Sequence, residues 1–487
     1  MAIPKKKSFP NTVSASPTKS FFVEMLTRDI ELKDSILDLL DNCVDGIQRL
    51  TKDQDPSDLP YNEFWAKITF SGDSFSIEDN CGGIPIEAAQ QYAFKMGRPK
   101  DLNTDGDIYT IGTYGIGMKR AIFKMGQSCQ IFSQTQDVAF KVSIGREWLL
   151  SDEEWNLPIE EVESELGFLG TTVLIENLYP SIVDEFSSIN SNLYEDLVSE
   201  ISKHYIFIFH KGFKIWVNGQ LVEPKPWQLR WDGANNISGE SICPYLYSVI
   251  RDEVEVRLAI GFYTDMPKQS DVEKSIEGKG RRGDDAGWTV VCNDRVIIYC
   301  DKTRLTGWGE ANIPSYHPQY IGISGIVEFR SYNSRKLPIT TTKRGIDASS
   351  DIYLYVKNFM REGLKIFISY TNKWKFKPRE ERQRFSRTQP VDPLIFFNDQ
   401  ELKIPWKKTR SKDSKSKTIN VNERKYVPSL PLPPSKSEDE NEKIIRFTKP
   451  ALEIREVAEY LFEESDKDTS EVGEECFERI LKQARKR

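Results

Sequence analysis

ELKDSILDLLDNCVDGIQRL, residues 31–50, decides how the first half of the chain is read. Leu37, Leu40, Val44 and Ile47 recur at helical spacing and predict an amphipathic helix with one apolar face. Asp38, Asn42 and Asp45 stand at i, i+4 and i+7, which gathers two carboxylates and an amide on another face. Such a face is either a wetted surface or a functional site.

Three further stretches follow this helix. In SFSIEDNCGGIP, 74–85, an alternating apolar run ends at Asp79, and Gly82–Gly83 lets the backbone turn sharply. In TIGTYGIGMKR, 110–120, Gly112, Gly115 and Gly117 precede a helix expected from Met118, with Lys119 in its first turn. Glycines let backbone N–H groups converge on an anion, and a helix start adds its positive end. The spacing is neither that of the P-loop, which needs a closing GK[ST], nor that of the dinucleotide fingerprint. Finally LGTTVLIENL, 169–178, carries Gly170 and Thr171 into a strand.

In this order the four stretches resemble the motifs of the GHKL ATPases: gyrase-type topoisomerases, ninety-kilodalton heat-shock chaperones, histidine kinases and MutL proteins. The resemblance covers roughly residues 20–225. It implies an α/β (α+β) fold, with a Bergerat ATP-binding sandwich followed by an S5-like α/β transducer domain. It implies ATP and Mg²⁺ as cofactors, with ATP hydrolysed to ADP and phosphate. By position, Asp38 would be the general base and Asn42 would coordinate Mg²⁺. Asp45 belongs to the same motif, and Asp79 would accept a hydrogen bond from the adenine amino group. Gly83 would complete the turn after Asp79, and Thr171 would support the adenine contact. Gly112, Gly115 and Gly117 would present amides to the phosphates, with Lys119 the next phosphate contact. Two positions depart from the pattern. The base position usually holds Glu, and Asp38 is shorter by roughly 1.5 Å of reach, which implies slow turnover or ATP sensing. Cys81 stands where glycine is usual, which brings the backbone turn there into question.

LPITTTKRGID, 337–347, resembles the lysine loop of dimeric members, and Lys343 is the expected γ-phosphate contact. With VNGQLVEP at the domain join, this is similar to the bacterial branch that is MORC-like and heat-shock-chaperone-like. There, ATP closes a lid and brings two heads of a homodimer together, often beside restriction or antiviral defence systems. His204, His210 and His317 all follow the nucleotide motifs, so a histidine-kinase phosphoacceptor is excluded. They are expected to be structural.

The rest of the chain divides by composition. Residues 1–19 read as a polar lead-in, 20–225 as the ATP-binding domain and 226–390 as the transducer. A Ser-, Lys- and Pro-rich linker, 391–441, precedes a strand–helix–helix unit, 442–487. That tail is similar in order to a ribbon-helix-helix unit, with Arg446 and Thr448 facing DNA, or is a plain hairpin that docks or dimerises. Thr469 or Ser470 is expected to cap its last helix, with Val472, Cys476 and Ile480 as an apolar stripe.

Net charge is −7, yet residues 371–417 hold 14 Lys and Arg against six Asp and Glu. The basic stretch 373–417 would meet DNA, or is a solvated helix end running into the linker. A protein partner or a separate nuclease is the other expectation. Seven scattered cysteines without a CxxC pair disfavour disulfides and structural zinc and suit a reducing cytoplasm. No apolar run is long enough to span a bilayer, so no membrane partner is expected.

Overall fold

The computed structural model describes residues 18–53, 59–97, 108–112, 115–152, 154–163, 166–188, 192–232, 240–267, 271–272, 275, 283–375, 378–398, 404–408, 422–433, 445 and 448–485. It has a mixed α/β architecture built on two large sheets.

Helix α1 spans Lys19–Arg28 and α2 spans Leu32–Leu50. The apolar face of α2 lies on the first sheet, where Leu37, Leu40, Val44 and Ile47 are buried with Ile68, Ile77, Val173 and Ile175. That sheet comprises β1 (Trp65–Phe70), β2 (Ser74–Asp79), β3 (Gly126–Gln134), β4 (Ala139–Ile144), β5 (Ile159–Glu161), β6 (Gly170–Leu178), β7 (Lys214–Val217) and β8 (Gln220–Leu221). The spatial order is β5-β4-β3-β6-β2-β1-β7-β8, with β1 and β7 parallel and every other pair antiparallel. The β7–β8 turn falls on Asn218 and Gly219, both at positive φ, as an Asn-Gly hairpin turn requires. Helix α3, Gly117–Met125, packs on α2, and α4, Leu193–His204, touches both α2 and the second sheet.

The second sheet orders β13 (Arg295–Asp301), β12 (Gly287–Cys292), β14 (Ile323–Arg330), β11 (Val254–Phe262), β10 (Tyr245–Arg251), β17 (Arg424–Tyr426) and β16 (Lys407–Lys408). A long helix, α5 (Asp351–Trp374), crosses β10, β11 and β14 and buries Tyr353, Val356, Phe367 and Trp374. Two short strands, β9 (Leu229–Trp231) and β15 (Gln389–Val391), pair apart from it.

The stretch expected as a linker is not all linker. Arg424–Tyr426 pairs with β10, the Tyr247 hydroxyl donates to Glu423 and the Trp374 indole N–H donates to the Pro431 carbonyl. Its Ser, Lys and Pro content hid this, because so short a strand is ordered by its neighbours' ladders and not by its own apolar pattern. Lys407 and Lys408 lie exposed on the edge of that sheet, where charge discourages further strand pairing.

At the tail, α6 spans Ala451–Phe462 and α7 spans Thr469–Ala484. The strand expected just before them falls on residues 443–447, of which 445 alone is described, and Arg446 lies outside the described residues. Helix α7 is capped by Asp468, whose side chain accepts from the Ser470 N–H at 2.8 Å, so the cap is neither Thr469 nor Ser470. Val472 is buried, but Ile480 is 63% exposed, so the stripe is only partly covered.

Candidate functional site

The four motifs and the Lys343 loop meet around a single cleft of about 210 Å³. Its acidic wall is α2, which turns Asp38, Asn42 and Asp45 inward, with Asn42 exposed to the cleft and both carboxylates buried. Asp79, Gly83 and Thr171 line one end, and Gly112, Gly115, Gly117 and Lys119 line the other. Lys343 enters from the loop after β14. All eleven residues singled out in the sequence therefore border one cavity.

At the Asp79 end, β2 and β6 pair so that Asp79 stands opposite Thr171. Asp79 accepts from the Cys81 N–H at 2.8 Å and from the Cys43 thiol at 3.4 Å. Burial pushes its carboxyl above the ordinary value, and the Cys81 amide opposes this. The positive φ angles fall on Gly82 and Gly83 (+88° and +72°), not on residue 81, so a cysteine fits there without strain. Gly170 is required for a different reason: a Cβ on it would lie 1.8 Å from the Asp79 carbonyl oxygen.

At the opposite end, Asp45 accepts from the N–H groups of Ile111 (2.8 Å) and Gly112 (3.0 Å). The Gly112 amide is thus engaged by Asp45, and the expectation that all three glycine amides face phosphate is corrected at this position. A Cβ on Gly112 would sit 2.6 Å from an Asp45 carboxylate oxygen, so glycine here allows the close approach. Lys119 is buried and donates to the Ala93 carbonyl at 2.8 Å; burial lowers its pKa to about 7.

The centre of the cleft is a network of buried charge. One Asp38 oxygen accepts from Nε of Arg120 at 3.1 Å and from its Nη2, and the other lies 3.3 Å from Lys343 Nζ. Lys343 also donates to Asp41 at 2.9 Å. The other Asp41 oxygen accepts from Arg295 Nε (2.9 Å) and the Tyr205 hydroxyl (2.7 Å). Burial alone would raise the Asp41 pKa, but Lys343 and Arg295 hold it well below the carboxylate range. Burial would likewise lower Lys343, but Asp41, Asp38 and Asp45 hold it well above its ordinary value.

Sequence reasoning missed Asp41, Arg120, Arg295 and Tyr205. Asp41 was findable, since it lies one helical turn from Asp38 on the same side of α2. Arg120 was not separable from Lys119 by pattern, and nothing marks a buried arginine in a strand. His204 is a structural group, as expected: its ring sits 2.5 Å from the Val296 carbonyl oxygen and 3.3 Å from Glu200.

The donor set suits a magnesium–triphosphate rather than a metal bound alone. Among the described residues no cluster of three or more His, Cys, Asp or Glu could hold a metal by itself. Mg²⁺ is commonly held by one or two protein oxygens plus phosphates, which the exposed amide of Asn42 fits. Thr110 adds a buried hydroxyl without a partner at the cleft wall.

Residues 30–168 match the family model described as histidine kinase-, DNA gyrase B- and HSP90-like ATPase. The match takes in the first three motifs and ends before Thr171 and the second sheet. The matched stretch is under a third of the chain, and the mixed α/β architecture around the first sheet is consistent with an ATP-binding sandwich of that type. No curated protein matches the chain. Among the described residues no helix is long and apolar enough to cross a membrane, and the described cysteines form no disulfide.

Proposed function

We propose that the chain is a Mg²⁺-dependent ATPase of the GHKL type, with slow turnover, whose nucleotide cycle opens and closes a homodimeric clamp. The observation that carries this reading is the convergence of Asp38, Asn42, Asp79, Lys119 and Lys343 on one cleft, the first four of them within the stretch 30–168 that matches an ATPase family model.

Asp79 would accept the adenine amino hydrogen, with Thr171 beside it, and Gly115, Gly117 and Lys119 would contact phosphates. Asn42 would hold Mg²⁺, which neutralises phosphate charge when bound. Asp38 would accept the proton of the attacking water. Lys343, joined to the second sheet, would meet the terminal phosphate and carry its presence across the joint. The chain's place is the MORC-like bacterial branch, where defence or DNA maintenance is the setting; a cytoplasmic location accords with the free cysteines. The domain limit at 225 belongs to the same proposal, with the second unit extended through Arg424–Tyr426.

A second reading, an ATP sensor that rarely hydrolyses, draws on the ion pairs that engage both Asp38 oxygens. Single-turnover hydrolysis separates the two: Asp38→Ala should lower the rate by about 10²–10⁴-fold, whereas equal, near-zero rates remove the enzyme. Mass measured with ADP and with a non-hydrolysable ATP analogue tests the clamp, since dimer formation must follow the third phosphate. Duplex DNA is the favoured client because Lys373, Lys375, Arg384 and Arg387 are each exposed within one basic stretch of the chain. Binding that ignores salt, or survives their neutralisation, would leave a protein partner or a separate nuclease instead.

A further inference from the structure

We propose that Arg120 is a two-position cation: it holds Asp38 when no third phosphate is present, and moves to that phosphate when ATP binds. The inference rests on the ATP reading of the cleft and deepens it.

The observation is the way Asp38 is occupied. Asp38 is 2% exposed, and one of its oxygens receives both Nε and Nη2 of Arg120, itself 6% exposed. The second oxygen faces Lys343. An oxygen so engaged has its lone pairs turned to the guanidinium and not to a water in the cleft. For Asp38 to act on water, the guanidinium must first find another anion.

The cleft supplies the place for one. Arg120 lies in the first turn of α3, directly after Gly115 and Gly117, and lines the cavity on the same side. That turn rests on Asp38 itself: a Cβ on Gly117 would lie 3.3 Å from the Asp38 carboxyl carbon. A guanidinium fork suits carboxylate and phosphate oxygens alike, so the exchange trades one bidentate partner for another. Lys343 is tied to Asp41 as well, so it can meet the terminal phosphate from where it stands, without leaving the carboxylates. It would remain beside Asp38 and keep the released carboxylate compensated. The third phosphate would thus both bind Arg120 and free the base, which ties proton abstraction to the correct nucleotide.

The test compares affinities for ADP and a non-hydrolysable ATP analogue, with Mg²⁺, by calorimetry on the full chain. R120Q should cut the preference for the analogue by about tenfold while ADP affinity moves by less than about twofold. D38N should raise that preference, because the guanidinium no longer has to leave a carboxylate. In the R120Q background the D38N effect should shrink severalfold, since Arg120 no longer competes and Lys343 stays tied to Asp41. R120K, which keeps the charge and loses the fork, should retain part of the preference, and it serves if R120Q does not fold. Equal weakening of both nucleotides in R120Q and in R120K would overturn the inference, as would a D38N effect that persists undiminished in the R120Q background. Wild-type protein that binds neither nucleotide would instead overturn the ATP reading on which it rests.

Discussion

Lys343 Nζ lies 2.9 Å from a carboxylate oxygen of Asp41, although 302 residues separate the two in the chain. Arg295 and Tyr205 reach the other oxygen of the same carboxylate. The floor of the cleft is therefore also the joint between the two sheets. Asp41→Asn would leave two buried cations with one counter-charge fewer, a defect that costs about 3–5 kcal/mol. Thermal unfolding should begin at least about 5 °C lower. The carboxyl sits below its ordinary range, so its contribution is present at neutral pH and is lost only as pH falls through that lowered value. Scans from pH 7 to pH 4.5 should show no loss traceable to Asp41.

Lys119 offers a protonation signature. Burial lowers its pKa to about 7, so much of it is neutral at pH 8. A phosphate brought beside it would favour the ammonium form and raise that value. Nucleotide binding at pH 8 should therefore take up most of one proton, measured by calorimetry in two buffers of different ionisation enthalpy. Lys119→Met should abolish the uptake. Uptake that survives the substitution would remove Lys119 from the phosphate contacts.

Asp79 predicts the opposite dependence on the acid side. Its carboxyl is pushed above the ordinary value by burial, and the ionised form is the stronger acceptor because both its oxygens are free of a proton. Affinity for ATP should fall as pH drops through the raised value. Asp79→Asn should weaken ATP binding by about 10–100-fold and lessen the preference for adenine over guanine nucleotides. Retained affinity and unchanged base preference would dissociate Asp79 from base recognition.

Gly170 and Gly145 form a matched pair. A methyl on Gly170 would collide with the Asp79 carbonyl, whereas nothing lies within 4 Å of a Cβ on Gly145. Gly170→Ala should destabilise the first sheet by more than about 2 kcal/mol. Gly145→Ala should stay within about 0.5 kcal/mol, judged by denaturant midpoints of the two variants side by side.

Much of the site was legible because its signals are local. Helical spacing put Asp38, Asn42 and Asp45 on one face of α2, and glycines marked the turns after Asp79 and before α3. Neither needs knowledge of a distant neighbour. The Cys81 departure looked damaging in sequence and is benign in structure, since backbone freedom is needed one residue later. The cap of α7 was misassigned, because Asp468 competes with two equally plausible hydroxyl residues beside it.

By itself the sequence determined the mixed α/β class, the order of the motifs and the residue types facing the cleft, because periodicity and turn chemistry act over a few residues. Tertiary structure alone decided which cation meets which carboxylate. Arg120 rather than Lys119 pairs with Asp38, Arg295 is buried against Asp41, and Arg424–Tyr426 joins a sheet from a stretch with no strand pattern. A helix positions successive side chains about 100° apart, so adjacent lysine and arginine face different neighbours, and those neighbours exist only once the sheets have packed.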